Sequence, residues 1–464
     1  MKKNISIHFL YFFIPIFICS IINVYKECDV WFLLNHGRYV INNGFPLIEP
    51  FTIHNGLSFI MQQWLASIIF YIAHSLLGIY GLKILLQLVN ILMLYIFYKI
   101  CMITSNNQKV SIVLSSVTQT LLLIFYVPRP WIFTFLNLAI LLYILEYFFK
   151  NKKYKFLFLL PVISLLQINI HSSMWFMLFI FILPYLAELF IKHKYKDILI
   201  YLLLMIFMFI MGFINPYGID NILYIFKSYG DLYINRLIIE MQPFTLMPNS
   251  ECFVYSILLL ILVIIILGLR IYFRKIKIRH LFLFIGLMLM SFMNIRSIPL
   301  FIIGTIPFLS DCIQIPDRKK FISVNISIYV MVAIIIFTTM FINIKDDINK
   351  KYIDLIIKRY DINKIVLYTD YDVGSYAEYR GVKVYIDSRA EVFIKRINKK
   401  KNILEEYYNL CYGKLDYDKF MNKYNFTHLI VKNNSWLNTK ISNDDNYIVI
   451  YSNKDKTIYE KSIL

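Results

Sequence analysis

FIMQQWLASIIFYIAHSLL, residues 59–77, is the stretch whose reading decides the fold. Its length and apolarity fit a membrane span, but Gln63, Ser67 and His74 stand at i, i+4 and i+11. At about 100° per residue these three share one helical face. A helix with such a polar stripe and a Trp suits a position along the membrane surface rather than across it. The choice reverses the orientation of everything that follows.

The surrounding chain makes the choice matter. Of 464 residues, 59% are hydrophobic and 17% aromatic, against about 45–50% apolar in an ordinary soluble domain. The excess falls in blocks that match a bilayer core, at roughly 6–25, 59–77, 82–100, 110–127, 131–149, 156–170, 174–191, 197–215, 252–272, 281–294, 298–314 and 323–343. If all twelve crossed, KNKKYK (150–155) and KHKYK (192–196) would face outward, against the preference of Lys and Arg for the cytoplasmic side. With 59–77 lying flat, the N-terminus and the basic loops 99–109, 150–155, 192–196, 274–280 and 316–320 fall inside, and the C-terminal segment falls outside. The expectation is an α-helical polytopic protein of the plasma membrane. It has about eleven transmembrane helices in residues 1–344, with interfacial helices in a first outer loop, 26–81.

The net charge of +19 sits in short clusters between the apolar blocks, so basic loops account for it and nucleic acid is not expected as a partner. The six cysteines (19, 28, 101, 252, 312 and 411) show neither CxxC nor metal-ligand spacing. Lys2 and Lys3 before a long apolar run without a small-x-small cleavage site read as an uncleaved signal anchor. Residues 345–464 are different: strands at 364–368, 382–386, 427–431, 446–452 and 456–461, a short helix at 374–379 and a helical run near 402–422 describe a small extracytoplasmic α/β domain.

The outer loops carry the polar candidates. In ECDVWFLLNHGRYVINNGFPLIEPF (27–51), a helix over 29–42 puts Asp29 and His36 on one face with Arg38 beside them, and Gly44 and Pro46 end it. Glu49 follows on an extended piece. Later outer turns add Arg129 between two prolines, Asn169, His171, Glu240 and Arg296. Carboxylates among cations at a membrane surface suit chemistry on a phosphate-bearing lipid: Asp29 or Glu49 takes a proton from an acceptor hydroxyl, and cations neutralise the leaving phosphate. The plain alternatives are a helix N-cap for Asp29, interfacial snorkelling for His36, Arg38 and Arg296, an interhelical polar pair for Asn169 and His171, a turn for NPYG (215–218), and an ion pair for Asp387 and Arg389, whose other reading is acceptor binding.

The order of motifs adds a resemblance. Asp29, Trp31, Gly37, Arg38, Val40, Gly44, Pro46, Glu49, Pro50, Phe51 and Thr52, then Trp64–Leu65, resemble the first outer loop of a family of bacterial polytopic membrane proteins related to the GT-C glycosyltransferases. The likeness runs on through PRP (128–130), Asn169 and His171, NPYG, Glu240, RSIPLF (296–301) and IDSRAEV (386–392). It implies a GT-C-like fold, a catalytic carboxylate and flat helices in the first outer loop, and a polyprenyl-phosphate sugar donor. Glu49 stands where such proteins more often have Asp, and Gln63 where they usually have an acid, which removes one catalytic or metal-binding carboxylate. The expected activity is transfer of a sugar to a glycan or protein acceptor at the outer face, leaving a divalent metal open as cofactor. The rival readings are a flippase for lipid-linked glycans and a non-catalytic membrane assembly protein.

Overall fold

A computed structural model of the chain describes residues 29–272, 276–311 and 348–462. They divide into two compact units. The first comprises Leu76–Ile222 and the described part of Ile238–Asn343. The second is assembled from the described parts of Val24–Ser75 and Ile344–Leu464 together with Leu223–Leu237. The first outer loop, grouped by sequence with the membrane helices, thus belongs to the same unit as the C-terminal segment.

The first unit is helical. Three described helices are long and apolar enough to cross a membrane: Ile79–Ser105, Trp131–Asn151 and Ser172–Ile191. The further apolar helices Tyr154–Ile170, Ile278–Met293 and Ile295–Ser310 run only 10–17 residues, short of the ~20 that a bilayer needs. The expected count of about eleven is therefore not carried by the described helices. The spans read at 6–25 and 323–343 lie outside the described residues. The apolar windows run through local breaks that hydropathy ignores. Residues 154–159 form a 3₁₀ turn before the α-helix Leu160–Ile170. The run at 298–314 splits at Thr305 into Ile298–Gly304 and Ile306–Ser310, each with proline in its first turn.

Small and polar residues set the packing. Gln119 donates to Asn90 between Gln108–Leu122 and Ile79–Ser105, and both are buried. Ser164 donates to the Met208 carbonyl at 2.7 Å and accepts from Trp175 Nε1 at 2.7 Å, joining Leu160–Ile170 to Tyr195–Met211. Interhelical hydrogen bonds of this kind serve where water cannot.

The second unit holds a four-stranded mixed sheet of order β1-β2-β4-β3, with β1 Leu367–Thr369, β2 His428–Lys432, β3 Tyr447–Ser452 and β4 Lys456–Lys461. β1 runs parallel to β2, and the other pairs are antiparallel. Residues 382–386, expected as a strand, make only single bridges, Val384 to Leu367 and to Thr52. The second bridge, with Ile53 N donating to the Val384 carbonyl at 2.9 Å, brings the first loop alongside the sheet. The helical run near 402–422 is two helices, Ile403–Cys411 and Tyr417–Tyr424, separated at Gly413, whose φ of 67° permits the reversal.

Helix Asp29–Asn43 ends where NNGFP predicts, with Gly44 at φ 78° accepting no further turn. Helix Trp64–Leu77 crosses it at Gly37, where a Cβ would overlap the Ser67 carbonyl oxygen. Ser67 is consequently buried and faces protein, whereas Gln63 and His74, the other two residues of the stripe read from 59–77, are half-buried.

Candidate functional site

The predicted residues separate into two clusters, one in each unit. In the first unit the cluster gathers at the N-terminal end of Trp131–Asn151. Pro130 starts that helix just after Arg129, while Asn294 accepts from the Arg296 backbone N–H at 2.9 Å and caps the turn that precedes Ile298–Gly304. Both arginines reach Glu240: Arg129 Nη1 lies 2.9 Å from Oε1, and Arg296 Nε 3.8 Å from Oε2. Burial pushes the Glu240 carboxyl up, but the two guanidiniums outweigh it and hold the group below its usual range.

Behind them, the Arg296 guanidinium sits 5.2 Å from the centre of the Trp131 ring, which also meets the edge of His171 at 5.3 Å and the Phe135 ring at 5.6 Å. His171 is buried, with Nδ1 2.9 Å from Thr134 Oγ1. Gln167 donates to that same Thr134 oxygen at 3.0 Å. Asn169 instead donates to the carbonyls of Leu165 and Ile214, at 2.8 and 2.9 Å, and fastens the end of its helix to the NPYG turn.

Fifteen residues along Trp131–Asn151, about 22 Å at 1.5 Å per residue, lies a second polar cluster that the sequence did not mark as a unit. Arg279 grips Glu146 with Nε and Nη2, both at 2.9 Å, and Glu188 with Nη1 at 2.9 Å. Tyr185 and His280 complete the shell of Glu146 at 2.8 Å each. Lys192, next to Glu188 at 2.6 Å, belongs to the basic loop at this pole. Asn137, which donates to Gln167 at 2.9 Å, is the last buried polar residue on the Arg129 side; from there to Glu146 the buried residues of this helix, Leu138, Ala139, Leu141, Leu142, Ile144 and Leu145, are apolar. The signal available in the sequence was a carboxylate near the end of each of two apolar runs and an Arg-His pair opening a third.

In the second unit the cluster is centred on Arg389, which is buried. Its Nε contacts both Asp387 oxygens at 2.9 and 3.0 Å; Nη2 reaches Glu378 Oε1 at 2.8 Å and Glu49 Oε1 at 3.0 Å. Nη1 donates to His36 Nε2 at 3.1 Å. His36 must accept there and is therefore neutral, with its proton on Nδ1; burial, then Arg389, lowers its pKa well below the ordinary value. Phe51 stacks on the imidazole at 5.3 Å.

Glu49 is fully engaged. Beyond Arg389, Oε1 accepts from Phe51 N at 3.0 Å, and Oε2 from Thr52 N and Oγ1 at 2.9 and 2.6 Å. A carboxylate with this many donors has no position left for an acceptor hydroxyl. Glu378, which sequence reasoning missed because nothing in SYAEY distinguishes it from a surface acid, is pushed well above the usual carboxyl range by burial, with Asp387 and Glu49 adding to the shift and Arg389 opposing it. For Asp387 burial acts the same way, but Arg389 outweighs it and holds the group low.

The remaining first-loop candidates differ. Asp29 is half-buried in the first turn of its helix. Arg38 donates through Nη2 to Asn35 Oδ1 at 2.7 Å and to the Tyr379 carbonyl at 2.8 Å, with its guanidinium 5.1 Å from the Tyr379 ring centre. These Nη2 bonds hold the guanidinium within its own unit. Among the described residues no group of three or more His, Cys, Asp and Glu side chains is arranged to hold a metal ion.

Comparison with models of known protein families and with curated proteins finds no match to either.

Proposed function

We propose that the protein is a multi-pass membrane transferase of the GT-C type, taking a sugar from a polyprenyl-phosphate carrier whose phosphate binds at Arg129 and Arg296. One observation carries this reading. Two guanidiniums from different helix starts converge on one half-exposed carboxylate, Glu240, at the pole opposite the lysine-bearing loops. Paired arginines match the planar, multi-oxygen geometry of a phosphate, and cations at the end of apolar helices meet a lipid headgroup where its tail enters hydrocarbon. On this reading the N-terminus is cytoplasmic and the C-terminal segment extracytoplasmic.

In the reaction, the acceptor hydroxyl attacks the anomeric carbon and its proton passes to a carboxylate. The bond from that carbon to the phosphate oxygen breaks, and the departing polyprenyl phosphate keeps the electron pair. Arg129 and Arg296 stabilise the charge that grows on it. Glu49 is not the base in this scheme, because its oxygens are all taken by donors. A flippase would need a polar route along the helices, whereas an apolar band separates the two poles of Trp131–Asn151.

The test is mass spectrometry of lipid co-purifying with the wild type, Arg129→Ala and Arg296→Ala. A polyprenyl phosphate retained by the wild type and lost from both variants supports the assignment; ordinary phospholipid alone overturns it.

A further inference from the structure

The loop KRINKKK, residues 395–401, presents five cations in seven residues: Lys395, Arg396, Lys399, Lys400 and Lys401, all exposed. A lysine-rich surface run is ordinarily a solvated, mobile face. This one is built around a fully buried asparagine. Asn398 Nδ2 donates to the carbonyls of Val392 and Lys401, at 3.0 and 2.8 Å, and Oδ1 accepts from the backbone N–H of Lys400 and Lys401, at 2.8 and 3.0 Å. Its own carbonyl accepts from Ser58 N at 3.0 Å. Lys399 is held in the left-handed region at φ 61°, a conformation with a cost for a residue bearing a Cβ. Ile394 and Ile397 anchor the turn from within.

The charges themselves are uncompensated. Four cations elsewhere in this unit have acidic partners: Lys423 has Glu406, Arg380 has Asp354, Lys456 has Asp370 and Asp372, and Arg389 has its three carboxyl groups. None of the five in the turn forms an ion pair among the described residues. A fixed backbone that holds like charges together without counter-charge is an arrangement for an external anion.

We propose that the 395–401 turn is a docking surface for a linear, phosphate-bearing polymer. A bilayer is the less suitable partner, because surfaces that bind lipid add exposed apolar or aromatic side chains to their cations and the isoleucines here point inward. Lysine ammoniums act as compact point charges on successive phosphates. This inference stands apart from the transferase reading and needs no part of it.

The experiment measures binding of inorganic polyphosphate to the full chain in neutral-lipid nanodiscs as a function of salt. The wild type is expected to bind with a steep salt dependence. The variant K395Q/K399Q/K400Q/K401Q should bind at least about 10-fold more weakly, with its log–log salt slope reduced by about 3. A control with the same net charge, K364Q/K419Q/K440Q/K454Q, should retain wild-type affinity, and unchanged melting temperatures exclude misfolding. Absence of wild-type binding, or equal loss in the control, overturns the proposal. So does polyphosphate binding that disappears when anionic lipid is introduced, since the turn would then be occupied by the membrane.

Discussion

Arg389 and Glu49, separated by 340 residues of chain, meet through a 3.0 Å hydrogen bond from Nη2 to Oε1 in the interior of one unit. Asp387 and Glu378 share the same guanidinium, so a single cation balances three buried carboxyl groups. Removing one member of a buried ion pair leaves the others uncompensated and costs about 3–5 kcal/mol. Arg389→Ala should accordingly lower the melting temperature of this unit by roughly 10 °C. A melt of the detergent-solubilised variant that superimposes on the wild type would show that the cluster does not hold the unit together.

Buried imidazoles make the same unit sensitive to acid: the His428 pKa is lowered by burial, and His54 and His36 behave alike. Burial lowers the His54 pKa to about 4, while its bond to the Tyr385 carbonyl at 2.8 Å opposes the shift; His36 is also lowered. In the unfolded chain all three titrate near the ordinary value of 6.5. Stability from these groups is therefore complete above that pH and is lost as the pH falls from 6.5 toward 4, where the unfolded state takes up protons first. Thermal melts between pH 7.5 and 4.5 should show a decline that His54→Gln reduces.

Glu378 acts with the opposite sign. Its folded-state pKa lies above the unfolded value of about 4.5, so its contribution is complete below that value and declines as pH rises through the raised one. Glu378→Gln carries no titrating proton. Its stability profile should be flatter on the alkaline side, and at pH 8 the variant should melt no lower than the wild type.

Gly37 and Gly44 are needed for different reasons. A methyl at Gly37 would collide with the Ser67 backbone and the Tyr71 side chain, whereas at Gly44 nothing lies within 4 Å and only the φ of +78° opposes substitution. Gly44→Ala should cost about 1 kcal/mol. Gly37→Ala should cost more, about 2 kcal/mol or above, because two helices must separate. Limited proteolysis of the two variants side by side reads the difference.

Glu146 and Glu240 contrast in the other unit. Glu146→Ala strands a buried Arg279 and should destabilise by about 3 kcal/mol or more. Glu240→Ala removes a half-exposed carboxylate and should cost less, about 1 kcal/mol. Equal losses would mean that the Glu240 pole is as closed as the Glu146 pole.

Local features were legible in the sequence. Gly44 and Pro46 ended the first helix because φ and the missing N–H act within a few residues, and the runs 427–431, 446–452 and 456–461 marked β2, β3 and β4. Hydropathy also located the apolar helices. It could not give their lengths, because a 3₁₀ turn at 154–159 or a break at Thr305 leaves average apolarity unchanged. The Arg389 centre was hidden for another reason: Asp387 and Arg389 are neighbours and read as a pair, but His36, Glu49 and Glu378 join them only through tertiary folding. Glu49 looked catalytic because an acid in an outer loop is ordinarily solvated; burial with four donors reverses that inference.

The composition of the second unit bears on biosynthesis. Its first portion, ending at Ser75, leaves the ribosome roughly 270 residues before residue 348, a delay of about 15–55 s at 5–20 residues per second. Throughout that interval Glu49 has no Arg389, and Ile53 has no Val384 carbonyl to receive its N–H. The segment must be chaperoned or remain wet until translation is nearly complete, so truncating the chain near residue 345 is expected to leave it as an open, protease-sensitive tether.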